Sequence, residues 1–214
     1  MRKLSIPTVL AGCLCVCALA AEAGTLKDGP MLTYMLGEDV EENDLGFGYQ
    51  VVYELNRNNS IELSASWNED KSLDLGSRVP TFPEASQVDM DVIAIALTGR
   101  LGYTPTPNVI AYLGGGIGYY ILKVNNENLL RDIAPDTVGF IEADADKDFG
   151  AHFALGVEVV MWRHWEMFAE WRQVFYNTQM KVSYAATPST PLVASRDDFS
   201  YDHALLRIGL NYRF

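Results

Sequence analysis

Three sets of residues in this 214-residue chain combine type and spacing in ways that chemistry uses. Asp144-Ala145-Asp146-Lys147-Asp148 places three carboxylates at alternate positions, the opening pattern of a calcium-binding loop. Such a loop also needs Gly at its sixth position and a bidentate Glu at its twelfth. Phe149 and Leu155 stand there, so a metal site would rest on Asp144, Asp146 and Asp148 alone. Ser183 and Ser200, with His152, His164 and His203, are the groups from which a Ser–His nucleophile would be built, but no His-x-Ser arrangement stands beside either serine. The third set is Glu54, Glu62, Arg100, Glu158, Glu170, Arg172 and Arg207, whose meaning depends on the face each one occupies. Thiol chemistry is excluded beyond Cys17, because Cys13, Cys15 and Cys17 are the only cysteines. Gly114 to Gly118 lacks the G-x-G-x-x-G spacing and the following helix of a phosphate loop.

The elements that must carry these residues alternate with period two. Ala204, Leu206, Ile208, Leu210, Tyr212 and Phe214 lie on one face of the last segment, with His203, Leu205, Arg207, Gly209, Asn211 and Arg213 on the other. Leu45-Phe47-Tyr49-Val51-Tyr53-Leu55 alternates with Gly46, Gly48, Gln50, Val52 and Glu54. The same pattern recurs in Ile61-Leu63-Ala65-Trp67 and in Phe149-Ala151-Phe153-Leu155-Val157-Val159-Met161. Weaker copies cover about 30–37, 89–102, 109–123 and 165–177, so the chain carries eight predicted strands. Asn56 to Asn59, Tyr103 to Asn108 and Arg163-His164 read as short turns, whereas about 38–44, 68–88, 124–147 and 178–199 read as long polar loops.

Short and long connections alternate strictly. That rhythm, with strand segments long enough to cross a bilayer when tilted, predicts an all-β, eight-stranded antiparallel up-and-down transmembrane β-barrel. The long loops would lie outside the cell and the short turns in the periplasm. Upstream, Arg2 and Lys3 precede an apolar run from Leu4 to Leu19 and a small-x-small site at Ala21-Glu22-Ala23. This reads as a cleaved export signal over 1–23, with the barrel domain over 24–214. Leu10-Ala11-Gly12-Cys13 offers a rival lipoprotein cut that would lipidate Cys13. No later segment has 18 consecutive apolar residues, which excludes a transmembrane helix.

The closing Gly209-Leu210-Asn211-Tyr212-Arg213-Phe214 resembles the C-terminal signature of outer-membrane proteins. Ala111-Tyr112-Leu113-Gly114-Gly115-Gly116-Ile117-Gly118-Tyr119 is similar to the glycine-rich fifth strand of the small OmpA/OmpX/Ail-like barrels. The resemblance covers roughly 29–214. It implies a cell outer-membrane location among lipid and lipopolysaccharide, and recognition of Leu210, Tyr212 and Phe214 by the barrel-assembly machinery. No peptidoglycan-binding domain follows Phe214, so cell-wall anchoring is not implied.

If the apolar faces meet lipid, then Glu54, Glu62, Arg100, His152, Glu158, Glu166, Glu170, Arg172, Arg207 and Arg213 fall in the lumen or at its periplasmic rim. Eight strands leave room only for side chains, so these charges are expected to pair in a structural network. Glycines in the strands are expected to make room for large neighbours such as Arg and Tyr. Tyr53, Tyr103, Trp162, Trp165, Tyr212 and Phe214 should form an aromatic belt near the short turns, and Tyr34, Trp67, Tyr119 and Phe175 one near the long loops. Without residues 1–23 the chain has 27 acidic and 14 basic residues. Segments 38–44, 68–91, 124–148 and 178–202 hold 21 of the acidic and 6 of the basic. This strongly acidic outer face, and the net charge of −12, argue against a nucleic-acid partner. Loop 124–147 also carries Ile133, Val138, Phe140 and Ile141, read as strands extending beyond the membrane or as a contact surface. The sequence therefore reads as a monomeric, non-enzymatic scaffold without cofactor, presenting acidic loops for envelope integrity, adhesion or an extracellular ligand. A lipid A-modifying hydrolase and a narrow ion channel are the alternatives.

Overall fold

A computed structural model of the chain describes residues 25–36, 44–74, 87–124, 140–185, 193–200 and 202–214. The expected export signal over 1–23 and Cys13 lie outside them, as do Ile133 and Val138. The described elements are β1 (Thr25–Leu36), β2 (Asp44–Asn56), β3 (Asn59–Asp74), β4 (Gln87–Thr106), β5 (Val109–Val124), β6 (Phe140–Ala145), β7 (Asp148–Trp162), β8 (Trp165–Phe175), β9 (Asn177–Ala185), β10 (Val193–Ser200) and β11 (His203–Arg213). Eight of them close a barrel in the order β1-β11-β8-β7-β5-β4-β3-β2, with every neighbour antiparallel.

The outward face is what alternation in lipid demands. Leu32, Leu45, Phe47, Leu97, Leu101, Leu113, Ile117, Phe153, Leu155, Leu206, Ile208 and Leu210 are all exposed on the barrel exterior. A band of that size would drive a water-soluble protein to aggregate, whereas acyl chains solvate it. Closure matters for the same reason, because in hydrocarbon an open sheet edge would leave unpaired N–H and C=O groups costing several kcal/mol each.

The short turns are tighter than the sequence reading. The β4–β5 connection is only Pro107-Asn108, because β4 runs on to Thr106 and a register shift between Tyr103 and Thr106 absorbs Thr104-Pro105. A proline fits there, since a bulge removes the ladder hydrogen bond that it cannot donate. At the β2–β3 turn the Asn56 Oδ1 accepts from the backbone N–H groups of Asn58 and Asn59, each at 2.9 Å. The first strand begins at Thr25 rather than near residue 30. Pro30 and the charges at Lys27 and Asp28 had broken the apolar pattern there, although Lys27 points inward.

Two of the expected long loops also contain strands. β6, β9 and β10 form a separate three-stranded sheet, ordered β10-β9-β6, within segments read as loops over 124–147 and 178–199. Likewise β3 and β4 extend to Asp74 and back to Gln87, well into the expected 68–88 loop. A tilted strand needs about ten residues to cross a bilayer, and β4 has 20. The surplus stands in water, where alternation loses its meaning and polar sequence is compatible with a strand. Tyr176 marks the break between the two sheets. Its N–H donates to Asp202 Oδ1 at 3.1 Å, and its ring lies 5.2 Å from that of Tyr120 inside the barrel.

Glycines shape the lumen by withholding side chains. A Cβ on Gly156 would strike the Tyr112 ring, one on Gly118 or Gly150 the Tyr120 ring, and one on Gly209 the Phe168 ring. These rings pack against the glycines, and a bare backbone is what admits them.

Candidate functional site

Alternation carries every second residue of the eight strands inward, and the inward positions divide by height. Toward the long connections the lumen is mostly apolar, with Met35, Met90, Val92, Tyr120, Leu122, Val174 and Leu205 all buried. Thr33 and Asn68 hydrogen-bond to each other there at 2.9 Å. From mid-barrel to the short-turn end the lumen is charged.

The upper half of that charged region is built on Glu62 of β3 and Glu170 of β8, at 0% and 2% exposure. Glu62 is paired with Arg100, with Arg172 at 2.9 Å and with Arg207 at 3.1 Å. Glu170 is paired with Arg207, with Arg172 at 2.9 Å and with Arg100 at 3.4 Å. The Tyr112 hydroxyl donates to Glu170 Oε2 at 2.9 Å, and the Arg100 guanidinium lies 4.4 Å from the centre of the Tyr112 ring. Gln50 Oε1 accepts from Arg207 and Arg100 at 3.2 and 3.4 Å, while Met31 Sδ accepts from Arg207 Nη2 at 2.7 Å.

Below it, Lys27 of β1 is buried among Glu54, Glu166 and Glu158, at 2.6, 2.5 and 3.0 Å. Arg213 reaches Glu54 at 3.2 Å and Glu166 at 2.7 Å. Arg100 Nη1 bonds to Glu158 Oε1 at 2.7 Å and joins the two halves. The whole holds five carboxylates and five cations, and with Gln50 and Tyr112 it includes a residue from each of the eight barrel strands. Stripping water from a carboxylate or guanidinium costs several kcal/mol per ion, so a buried set this large persists only when it is neutral and multiply bonded. A shallow recess, with room for little more than a water molecule, opens at the short-turn end, bordered by Glu54, Arg57, Arg100, Tyr112 and Glu158.

The structure thus brings Glu54, Glu62, Arg100, Glu158, Glu170, Arg172 and Arg207 into one connected cluster. Lys27 is the member that sequence reasoning missed. The available signal was parity, since Lys27 shares an alternation with Gly29, Met31, Thr33 and Met35, whose odd positions face inward.

Other candidate groups lie apart. His152 is buried in the lumen with its Nε2 2.8 Å from the Thr98 hydroxyl. His164 stacks on Tyr212, with ring centres 5.5 Å apart, in the β7–β8 turn. His203 is buried at the start of β11. The side chains of Asp144 and Ser183 lie outside the described residues. Asp146 is 3.7 Å from Lys181, and Asp148 Oδ1 accepts from the Phe149 N–H at 2.7 Å. Among the described residues no group of three His, Cys, Asp or Glu is placed to hold a metal.

The C-terminal strand ends in an aromatic cluster on the outer face. Tyr212 lies 5.2 Å from Trp165 and 5.1 Å from Phe214, ring to ring, and Leu210 and Phe214 are exposed beside it. The Phe214 N–H donates to the Leu26 carbonyl at 3.0 Å, sealing the end of the β1–β11 seam.

The sequence matches a family model described as outer membrane protein beta-barrel domain over residues 7–214. No curated protein matches it. Among solved structures it is similar to the outer membrane protein OprG from Pseudomonas aeruginosa, at 13% identity and a TM-score of 0.66, over 90% of this chain and 97% of that one. A major outer membrane protein from Thermus thermophilus aligns at 13% identity and a TM-score of 0.59, over 90% and 100% of the two chains. The outer membrane protein AlkL, solved in DMPC bilayers, aligns at 16% identity and a TM-score of 0.54, over 90% and 91%. At these identities the likeness is one of fold.

Proposed function

The chain belongs to the outer membrane protein beta-barrel domain family and resides in the outer membrane, and from that premise we propose that it is a monomeric, non-enzymatic scaffold with a plugged lumen, whose acidic external segments serve envelope integrity, adhesion or ligand contact. The observation that carries this reading is the neutral ten-charge network, which spans seven strands and with Tyr112 of β5 reaches all eight. Its members bond to one another, so each carboxylate and cation of the cluster already has a partner among the described residues. With the apolar outer half stacked above it, the lumen serves as a rigid core for the wall rather than a passage.

The specific work then falls to the outer face. Segments 38–44, 68–91, 124–148 and 178–202 carry a charge of about −15 on the sequence count, and the strands β6, β9 and β10 lie within two of them. Lipopolysaccharide is itself anionic, so acidic segments would share bridging divalent cations with it or engage a basic or glycan partner. At the other end, the exposed Leu210, the Tyr212 cluster and Phe214 fit the face that the barrel-assembly machinery would read during insertion.

Mass spectrometry of lipid A from outer membranes with and without the expressed protein tests the reading. An unchanged profile is expected. A lost acyl chain or altered headgroup would overturn it in favour of a hydrolase, and would direct attention to Ser183, Ser200 and the three histidines.

A further inference from the structure

The charges of the chain beyond residue 23 divide into three populations. The external segments take 21 acidic and 6 basic residues, and the lumen takes five of each. Asp28, Arg57, Lys123 and Arg163 are left over. Lys123 stands at the outer end of β5. The exposed surplus at the short-turn end is therefore Arg57 and Arg163, with Asp28 of β1 as the one opposing side chain.

Arg163 has an unusual setting. Strict alternation would send Trp162 into the lumen, because it shares parity with Glu158 and Val160. A register shift between Val160 and Trp162 turns it outward instead and pairs it with Trp165 across the hairpin. Trp162 is 78% exposed and Trp165 45%. The two residues between them, Arg163 and His164, are both exposed. His164 is held in place, stacked on Tyr212 with its Nδ1 3.1 Å from the Arg213 carbonyl. A carbonyl only accepts, so Nδ1 carries the proton. The Arg163 guanidinium has no hydrogen bond or ion pair among the described residues, the terminal carboxylate included.

We infer that this hairpin tip seats the phosphate of an anionic glycerophospholipid in the periplasmic leaflet. Indoles settle at the headgroup boundary, with their rings against acyl chain and their N–H toward water. Two of them on adjacent strands set the depth of the tip and leave Arg163 level with the lipid phosphates. There the planar guanidinium can bind two phosphate oxygens. The braced turn avoids the ordering cost of a free loop. This inference rests on the barrel fold and its membrane location, not on the scaffold reading.

The test is native mass spectrometry of the full-length protein released from vesicles of phosphatidylglycerol and phosphatidylethanolamine in equal parts. The wild type is expected to retain phosphatidylglycerol in preference, and Arg163→Gln to weaken that preference about fivefold, the value of one cation at an anionic surface. Arg163→Lys keeps the charge without the two-pronged fork, so it should retain an intermediate preference, and it guards against a folding defect. Arg57→Gln, an equally exposed cation on another short turn, should leave it intact. A wild type without preference, an unchanged Arg163→Gln, or an equal loss in Arg57→Gln would each overturn the inference, the last by showing diffuse attraction rather than a seat.

Discussion

Glu62 sits where three guanidiniums converge, and nothing else in the upper cluster balances them except Glu170 and, through Arg100, Glu158. Glu62→Gln keeps the shape and removes one charge, which leaves buried cations in excess. The expected cost is about 3–5 kcal/mol, read as a lower urea midpoint in detergent micelles. Adding Arg207→Met should recover part of it. An unshifted midpoint would mean that the cluster contributes nothing to stability. Glycines separate in the same way by what surrounds them. A Cβ on Gly116 would meet the Leu97 carbonyl and the His152 ring, whereas one on Gly99 finds only the Gly115 oxygen at 3.9 Å. Gly116→Ala should therefore destabilise the barrel measurably, and Gly99→Ala should be neutral or stabilising by about 0.5–1 kcal/mol.

Strands here are governed by what lies on each side of them. Inside the bilayer, β7 and β8 alternate residue by residue, and the register shift near the turn is what releases Trp162 to the surface. Beyond the bilayer the same chain bends at Tyr176 and builds a second sheet. The junction is held by hydroxyls: Tyr176 and Thr178 both donate to the Asp146 carbonyl, at 2.9 and 2.6 Å, while the Asp146 N–H donates to the Gln179 carbonyl at 2.9 Å. Each hydroxyl contributes about 1 kcal/mol. Tyr176→Phe combined with Thr178→Val should speed hydrogen exchange across 140–146 and leave the thermal midpoint of the barrel unchanged. A fall in that midpoint would show that the two sheets unfold together.

Taken whole, the proposed plug has two layers, an ionic cluster toward the short turns and an apolar one toward the long connections. Lys27→Met leaves Glu54, Glu158 and Glu166 with only Arg213 and Arg100 to balance them and should lower stability. It should not open a pore, because Met35, Met90, Val92, Tyr120, Leu122, Val174 and Leu205 still fill the lumen above. Planar-bilayer recordings of the variant are expected to stay at baseline. Steady conductance steps would refute the second seal and favour the channel reading. Charge is divided as sharply along the barrel axis, acidic outside and sparsely basic at the periplasmic rim, which matches a bilayer whose two leaflets differ.

The barrel itself was legible in the residues. Leu45 to Leu55 and Ala204 to Phe214 alternate because a membrane strand faces lipid on one side and a narrow lumen on the other, and that contrast is written at every second position. Parity alone placed Glu62, Arg100, Glu170, Arg172 and Arg207 on the inward face. Which cation meets which carboxylate was not legible, since the pairs join residues up to 159 positions apart only once the shear of the barrel sets their heights, as Glu54 and Arg213 illustrate. Lys27 was harder to see: its parity with Met31, Thr33 and Met35 pointed inward, but Asp28 and Pro30 interrupt the apolar face that would have announced the strand. The second sheet was hidden by its solvent, because in water a strand of Glu, Asp and Ser needs no alternation. Sequence by itself determined the wall; tertiary structure decided how the interior is neutralised and where the wall ends.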